Sequence, residues 1–281
     1  MSDLIPSSTY NSGTPLLFLH ANGYPPACYR PLFERLSNHQ ILAMRQRPLW
    51  EGHHPEEIED WHPLTDDLLR FMDEQNIERI DAVGHSMGGI ALLRAALRTP
   101  DRFSSVILLD PVLFPPFFIR FYKIIRALNL AHKLHPLVPA AQKRRRVFKN
   151  RELILRGYRN KPVFRYFSDE ALEAYVNGIT CPVNDGSYRL CYSAEWETQI
   201  YVTGVSPDME LWRELPNLQV PLLILRGAET DTFSENAGRL VQKKLPAAQV
   251  VSIPKSTHLL PLEQPDAVSS EIEKFLLIKG G

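Results

Sequence analysis

Residues 79–98 read RIDAVGHSMGGIALLRAALR, and this stretch decides the fold. The apolar residues of segment 80–83 form a short strand-like run, and the turn GHSMG at 84–88 follows it directly. From Ile90 onward, apolar residues recur at helical spacing. The stretch therefore predicts a strand, a turn that carries a serine, and a helix.

The serine of this turn, Ser86, lies between two glycines. A sharp strand-to-helix turn crowds the backbone, so side chains at Gly84 and Gly88 would clash. The turn lifts the Ser86 hydroxyl clear of the sheet and aims the free N–H groups of the helix start at negative charge developing beside it. A serine between glycines can also be an ordinary flexible turn. The strand before it and the helix after it favour a site that attacks a carbonyl.

Length and charge limit the class of protein. A chain of 281 residues suits one large α/β domain, or one such domain with an insertion. Lys and Arg number 32 and so do Asp and Glu, so we expect no nucleic-acid partner. The start, MSDLIPSSTY, lacks the basic and apolar regions of a signal peptide, and no stretch is apolar enough to span a bilayer. We therefore expect a soluble cytoplasmic protein.

The cysteines and histidines do not form a recognised metal motif. Cys28, Cys181 and Cys191 are an odd number with no CxxC pair, and we interpret them as free thiols. A Pro-rich loop contains two adjacent histidines and two adjacent glutamates, without ligand spacing: His53, His54, Glu56 and Glu57. A solvated loop explains them better than a metal site. Since no GxGxxG is present either, we expect no metal and no cofactor.

Apolar patterns predict further strands and helices on both sides of the serine stretch. The predicted strands are 15–20, 40–47, 103–110, 220–225 and 249–253. The predicted helices are 27–37, one from Leu64, 234–245, and a closing helix with Val268, Ile272, Phe275 and Leu276 on one face. Segment 112–216 departs from this alternation, because its helical patterns, such as 169–177, have no regular strands between them.

A serine nucleophile needs a base within hydrogen-bond reach and a third group that holds the base. Of the nine histidines, His258 is the candidate base because it follows the last predicted strand. His85 precedes Ser86, but neighbours on a tight turn point in different directions, so we interpret it as a packing or pocket-wall residue. Three carboxylates follow strands and are candidates for the third group: Asp110, Glu229 and Asp231.

With these motifs the sequence resembles the α/β-hydrolase superfamily, in particular esterase-like serine hydrolases with a helical cap. The resemblance lies in the G-x-S-x-G turn between strand and helix and in the chain order Ser, acid, His. It implies an α/β fold with a mostly parallel central sheet flanked by helices and a helical cap inserted after the strand ending near Asp110. The core is then 1–111 and 217–281, and the cap or lid is 112–216. Alternatively, 112–216 is a helical layer that only covers the sheet edge.

The resemblance also implies how the start of the sheet is built. The family usually places two strands before the one at 15–20, so we expect part of that edge to be missing. After this strand the family has a His-Gly loop that helps to form the oxyanion hole, where this chain reads His20-Ala21-Asn22-Gly23. We expect the backbone N–H of Ala21 or Asn22 to be one donor and that of Met87 the second. An ordinary strand-end turn is the alternative, since Asn-Gly is common in turns.

For the reaction, the resemblance implies a catalytic triad of Ser86, His258 and Asp231. The usual acid follows the penultimate strand, which favours Asp231, although some relatives use the earlier place that Asp110 occupies. We predict a carboxylesterase that forms an acyl-enzyme on a small-molecule ester or related acyl substrate. The same triad also serves thioesterases, lactonases, carbon–carbon bond hydrolases and perhydrolases. A hydrolase-like receptor without activity would not need all three side chains, and a serine at 86 argues against the aspartate-nucleophile branches.

The segment between Arg120 and Arg165 is rich in Lys, Arg and aromatic residues, and Glu152 is its only acidic residue. The simplest interpretation is a solvated helical surface whose aromatic rings pack inward. The alternative is a basic face that attracts an anionic substrate or an anionic lipid surface. The sequence leaves the oligomeric state and the substrate-binding residues open.

Overall fold

A central sheet of seven strands organises the chain in the computed structural model, which describes residues 4–279. The described residues form ten strands, of which seven belong to this sheet and three to a smaller one. They are β1 (Ser7–Tyr10), β2 (Thr14–Leu19), β3 (His39–Met44), β4 (Ile80–His85), β5 (Phe103–Leu109), β6 (Val147–Phe148), β7 (Thr180–Pro182), β8 (Tyr188–Leu190), β9 (Leu222–Gly227) and β10 (Gln249–Ile253).

The helices before the segment 112–216 are α1 (Arg30–Arg35), α2 (His62–Glu74) and α3 (Met87–Arg98). Within it lie α4 (Pro116–Ala127), α5 (Ala131–Leu134), α6 (Val138–Gln142), α7 (Arg151–Arg159), α8 (Asp169–Ile179), α9 (Ala194–Thr203) and α10 (Met209–Glu214). After it come α11 (Glu235–Lys244), α12 (Leu260–Glu263) and α13 (Pro265–Lys279).

The central sheet has the order β1-β3-β2-β4-β5-β9-β10. Strand β1 is antiparallel to β3, and the other neighbouring pairs are parallel. Parallel strands bring their carboxyl ends to one edge of the sheet, which is where ligands bind in open α/β sheets. The turns after β2, β4, β5, β9 and β10 therefore meet at that edge.

Apolar residues bury both faces of this sheet. Along β2, Leu17 and Leu19 join one core cluster while Leu16 and Phe18 join the other, since successive side chains point to opposite faces. Helices α2 and α3 pack on the first face, and α13 packs on the second through the apolar side chains of the predicted closing helix. The predicted mostly parallel sheet flanked by helices is confirmed.

One strand lies where no strand was predicted, within the first fourteen residues. Strand β1 pairs along β3 from Ser7 opposite Met44 to Tyr10 opposite Ile41. Its residues alternate between exposed and half-buried positions. An edge strand of this kind contains no apolar run, so a search for buried strands misses it.

The segment 112–216 contains a small sheet that the sequence did not predict. Its strands are ordered β6-β8-β7, with antiparallel neighbours. The sequence shows only helical patterns with no regular strands between them, because strands of two or three residues are too short to show a period. The division into a core of 1–111 and 217–281 and a cap of 112–216 stays a prediction.

A disulfide joins Cys181 to Cys191, whose Cα atoms are 5.3 Å apart. The interpretation of all three cysteines as free thiols is thus wrong for this pair, because the antiparallel pairing of β7 with β8 brings the two together. Cys28 is free and buried. Disulfides are uncommon in the reducing cytosol, and the cytoplasmic location stays a prediction. No helix within residues 4–279 is long and apolar enough to cross a bilayer.

Several arginines of the basic segment 120–165 pair with acidic residues outside it. Arg146 contacts Glu195 at 2.6 Å, and Arg165 contacts Glu229 at 2.9 Å.

In the Pro-rich loop, His53 contacts Glu57 at 2.7 Å, and Arg47 contacts the same carboxylate at 3.2 Å. These ion pairs are exposed or half-buried, and each contributes little to stability.

Candidate active site

The turn between β4 and α3 has the sharp geometry that the sequence predicts. Ser86 takes φ 57° and ψ −118°, an unusual backbone conformation for a residue other than glycine. A Cβ on Gly84 would lie 2.7 Å from the Gly88 oxygen, and one on Gly88 would lie 2.7 Å from the His20 oxygen. Both positions therefore require glycine, since the atoms that an added Cβ would meet belong to the backbone and not to a flexible side chain.

We expect Gly84→Ala to lower the free energy of unfolding by about 3 kcal/mol, because the new methyl group forces backbone apart. Urea denaturation measures this change. The matched control is Gly157→Ala in α7, where an added Cβ meets no atom within 4 Å. That variant should be as stable as the wild type or more so, since alanine favours helix. Equal stability of both variants would contradict the crowding of the turn.

Ser86 and His258 form a hydrogen-bonded pair at the carboxyl edge of the sheet. The Oγ atom of Ser86 lies 2.8 Å from Nε2 of His258. The opposite ring nitrogen, Nδ1, lies 2.7 Å from Oδ2 of Asp110. His258 follows β10, and Asp110 follows β5, so three separate strand ends supply the three side chains.

The Asp110 carboxylate is fully buried and has several donors. Its Oδ1 accepts a 3.0 Å hydrogen bond from the Gly227 N–H. Its Oδ2 accepts one of 2.6 Å from the Thr230 hydroxyl, besides the contact with His258. A carboxylate oxygen accepts hydrogen bonds and donates none. Asp110 can therefore hold Nδ1 of His258 as the protonated nitrogen.

The prediction that Asp231 holds His258 is wrong. Asp231 is exposed, and its carboxylate accepts a 3.2 Å hydrogen bond from Thr232. The loop after β9 instead places Thr230 against Asp110. Glu229, the third candidate, accepts hydrogen bonds from Tyr166 and Arg165. The backbone of Asp110 takes a positive φ of 42°, a local conformation that residue type and spacing do not reveal.

Two N–H groups in the loop after β2 are the predicted alternatives for an oxyanion donor, those of Ala21 and Asn22. The N–H of Ala21 donates to the Tyr29 hydroxyl at 3.0 Å, so it is already occupied. Asn22 is the remaining candidate, and its side chain is fixed by Tyr192 at 2.8 Å and by the Glu197 carbonyl at 3.1 Å. Met87 is the first residue of α3, and the first N–H groups of a helix have no partner within it.

A buried chain of hydrogen bonds joins the loop after β2 to the loop after β10, which carries His258. The Tyr29 hydroxyl lies 2.7 Å from Nδ1 of His85, and Nε2 of His85 lies 2.8 Å from the His258 carbonyl oxygen. Since a carbonyl only accepts, Nε2 carries the proton and Nδ1 accepts from Tyr29. Burial, and then the neighbouring His258, lowers the pKa of His85 well below its ordinary value. His85 is therefore a neutral spacer between the two loops.

We expect Tyr29→Phe to lower the free energy of unfolding by about 2 kcal/mol, because it leaves the Ala21 N–H and His85 Nδ1 buried without partners. Urea denaturation measures the loss, and kcat should fall with it because both loops border Ser86. Tyr166→Phe is the matched control, since its hydroxyl contacts Glu229 at the exposed surface. A Tyr29→Phe protein as stable as this control would contradict the spacer role.

This arrangement suits nucleophilic chemistry. A hydroxyl beside an imidazole, with a carboxylate on the far ring nitrogen, can lose its proton as it attacks an electrophilic carbon. The N–H groups at the start of α3 face the same place and can stabilise negative charge there. The structure thus brings together Ser86, His258 and Met87 from the predicted site and replaces Asp231 by Asp110.

Comparison with known proteins agrees with this architecture. Over 242 residues the chain is 23% identical to "Esterase YbfF" of Escherichia coli (strain K12), covering 86% of this chain and 84% of that protein. The solved E-2-(acetamidomethylene)succinate hydrolase superposes with a TM-score of 0.74 at 21% identity, covering 95% and 93% of the two chains. The thioesterase domain from the curacin biosynthetic pathway has a TM-score of 0.74 at 16% identity, with 96% and 100% covered.

The family profile described as "Alpha/beta hydrolase family" matches residues 16–271, which include β2 from Leu16 onward and all the later strands of the central sheet. The match therefore covers all the turns that supply the site. On this evidence the chain belongs to the alpha/beta hydrolase family and has the alpha/beta-hydrolase fold.

Proposed function

We propose that the protein is a serine hydrolase that cleaves a carboxylic ester, or a related acyl bond, through an acyl-enzyme on Ser86. The observation that carries this proposal is the continuous hydrogen-bonded line from Ser86 Oγ through the His258 ring to Asp110 Oδ2, with contacts of 2.8 and 2.7 Å. A serine without such a base is a poor nucleophile at neutral pH.

In the first half of the reaction, Ser86 Oγ attacks the acyl carbon while Nε2 of His258 takes the hydroxyl proton. The imidazolium that forms is stabilised by the buried Asp110 carboxylate. His258 then gives the proton to the leaving alcohol as the acyl–oxygen bond breaks, which leaves the acyl group on Ser86. In the second half, a water loses a proton to His258 and attacks the same carbon. His258 then returns that proton to Ser86 Oγ as the acyl–Oγ bond breaks, which releases the acid and restores Ser86.

Two backbone N–H groups are the proposed donors to the oxyanion that forms in each half. Met87 supplies one from the start of α3, and Asn22 supplies the other from the loop after β2. The contacts of the Asn22 side chain with Tyr192 and Glu197 support this role, because they fix the loop that carries the donor. Removing one such donor typically costs about 10²–10³-fold in kcat.

The segment 112–216 is the proposed cap over this site. Tyr192 and Glu197 belong to it, and both contact Asn22 in the loop beside Ser86. Ser86 is only 5% exposed, so a substrate must pass between the cap and the sheet edge to reach it. The fold and the triad alone do not decide between ester, thioester and lactone substrates. A carboxylic ester is the class we propose to test first.

Labelling with a fluorophosphonate probe tests the proposal, because the probe forms a covalent bond only with an activated serine. The wild type should be labelled and Ser86→Ala should not. Ser269→Ala is the matched control, since Ser269 is also buried but donates to the Asp266 carbonyl in α13. Labelling of Ser86→Ala as strong as that of the wild type would overturn the proposed nucleophile.

A further inference from the structure

A cavity lies within the segment 112–216, beside the loop after β2. Its volume is about 530 Å³. Tyr24 forms one wall, and residues of the segment 137–201 form the others. Aromatic rings line much of it: Tyr24, Phe148, Tyr158, Phe164, Tyr175 and Tyr201. The cavity is therefore suited to the apolar or aromatic part of a small molecule.

The charged residues that line this cavity are mostly cationic. They are Lys143, Arg144, Arg145 and Lys161, against the single carboxylate of Glu197. A cavity whose charged residues are mostly of one sign and whose walls are apolar concentrates the electric field inside it. Its net positive charge favours an anionic ligand.

Arg144 is the least exposed cation of this group, with its side chain 16% exposed. Its guanidinium donates to Glu197 Oε2 at 3.0 Å and to the Tyr175 hydroxyl at 2.9 Å. A guanidinium has five N–H donors, so these contacts fix its plane and leave donors for a ligand.

Lys161 brings a second cation close to Arg144. Its ammonium lies 4.3 Å from the centre of the Tyr158 ring, and within residues 4–279 no ion pair joins it to a carboxylate. Lys161 is an exposed residue, and partial loss of its hydration, followed by the guanidinium of Arg144, lowers its pKa. Two neighbouring cations repel each other, and an anion held between them would remove that repulsion.

The cavity borders the loop that carries the proposed oxyanion donor. A Cβ placed on Gly23 would lie 3.4 Å from Glu197 Oε1 and 3.8 Å from Arg144 Nη1. The neighbouring Asn22 side chain donates to the Glu197 carbonyl at 3.1 Å. A molecule in this cavity would therefore lie next to the loop that faces Ser86.

We propose that this cavity binds a carboxylate carried by the substrate, with Arg144 and Lys161 as its partners and the apolar part of the same molecule against the aromatic rings. The substrate class is then an acyl compound that has a free carboxylate besides the bond that is cleaved. That the bound molecule is a substrate rests on the proposed function. The binding of the carboxylate itself does not depend on it.

Calorimetric titration with phenylacetate and with phenylacetamide tests the binding. The two probes have nearly the same size and differ in charge. We expect phenylacetate to bind the wild type at least about tenfold more tightly, because a hydrogen bond to a charged group is stronger. Lys161→Gln should remove most of this preference. Arg156→Gln is the matched control, since it removes a positive charge from α7 at a side chain that is 80% exposed and does not line the cavity.

Equal binding of the two probes to the wild type, or no binding of either, would overturn the proposal. So would an equal loss of the preference in Lys161→Gln and Arg156→Gln, because that result indicates a general effect of surface charge. We choose Lys161 for the test because removing Arg144 would leave the Glu197 carboxylate buried without its partner, which destabilises the fold.

Kinetics with two matched series of p-nitrophenyl esters tests whether the carboxylate belongs to the substrate. One series contains monoesters of dicarboxylic acids from succinate to sebacate, and the other contains uncharged alkanoate esters of the same lengths. At the chain length that spans the two sites, Lys161→Gln should lower kcat/KM for the charged ester at least about tenfold more than for the neutral ester of the same length. Equal losses at every length would overturn the assignment to the substrate. Hydrolysis of neutral esters would still support the proposed function.

Discussion

Asp110→Asn should lower kcat for ester hydrolysis by about 10⁴-fold, the loss typical of an acid that holds the catalytic histidine. The Gly227 N–H donates to Oδ1 of Asp110 and cannot accept, so an asparagine there keeps its oxygen at that position. The amide nitrogen then takes the place of Oδ2, where the Thr230 hydroxyl can turn to accept from it. The same amide group also faces Nδ1 of His258 and donates to it. Nδ1 then accepts this hydrogen bond, and the ring proton lies on Nε2. A protonated Nε2 cannot take the proton of the Ser86 hydroxyl.

Steady-state kinetics with p-nitrophenyl acetate measures this loss, and Asp231→Asn is the matched control. The two variants make the same chemical change on neighbouring strand ends, but the Asp231 carboxylate is exposed and contacts only Thr232 among the hydrogen bonds described. Asp231→Asn should therefore keep the wild-type kcat. A large loss in Asp231→Asn with a small one in Asp110→Asn would assign the third position to Asp231 after all.

Ser86→Ala should lower kcat by on the order of 10⁶-fold, because the remaining groups have no nucleophile to activate. The fold should stay intact, since the Ser86 side chain accepts no capping hydrogen bond from the backbone N–H groups of α3. The same p-nitrophenyl acetate assay measures the loss, and urea denaturation measures the stability. Turnover near the wild-type rate in a folded Ser86→Ala protein would contradict the mechanism.

The sequence predicts the parts of the site that strong local patterns determine. The glycines around Ser86 and the position of His258 after the last strand are features of short stretches, and the structure places both side chains together. The acid is different, because Asp110 and Asp231 both follow strands. Which one reaches His258 depends on backbone angles and on a contact between neighbouring loops, the one from Thr230 to Asp110.

The elements that the sequence did not predict are short or weakly patterned. Strand β1 is a half-exposed edge strand, and β6 to β8 contain two or three residues each. Without the hairpin of β7 and β8, nothing in the spacing of Cys181 and Cys191 indicates a disulfide. Tyr29 also has no local signal, because its role depends on Ala21 and on His85, which is 56 residues away.

The most direct test of the account is the mass of the protein during turnover. Wild-type protein mixed briefly with p-nitrophenyl acetate and quenched in acid should gain the mass of one acetyl group, and peptide mapping should place that group on Ser86. Asp110→Asn should gain it far more slowly, and Ser86→Ala should not gain it. An acetyl group on another residue, or rapid hydrolysis by Ser86→Ala, would contradict the central claim that Ser86, activated by His258 and Asp110, is the nucleophile.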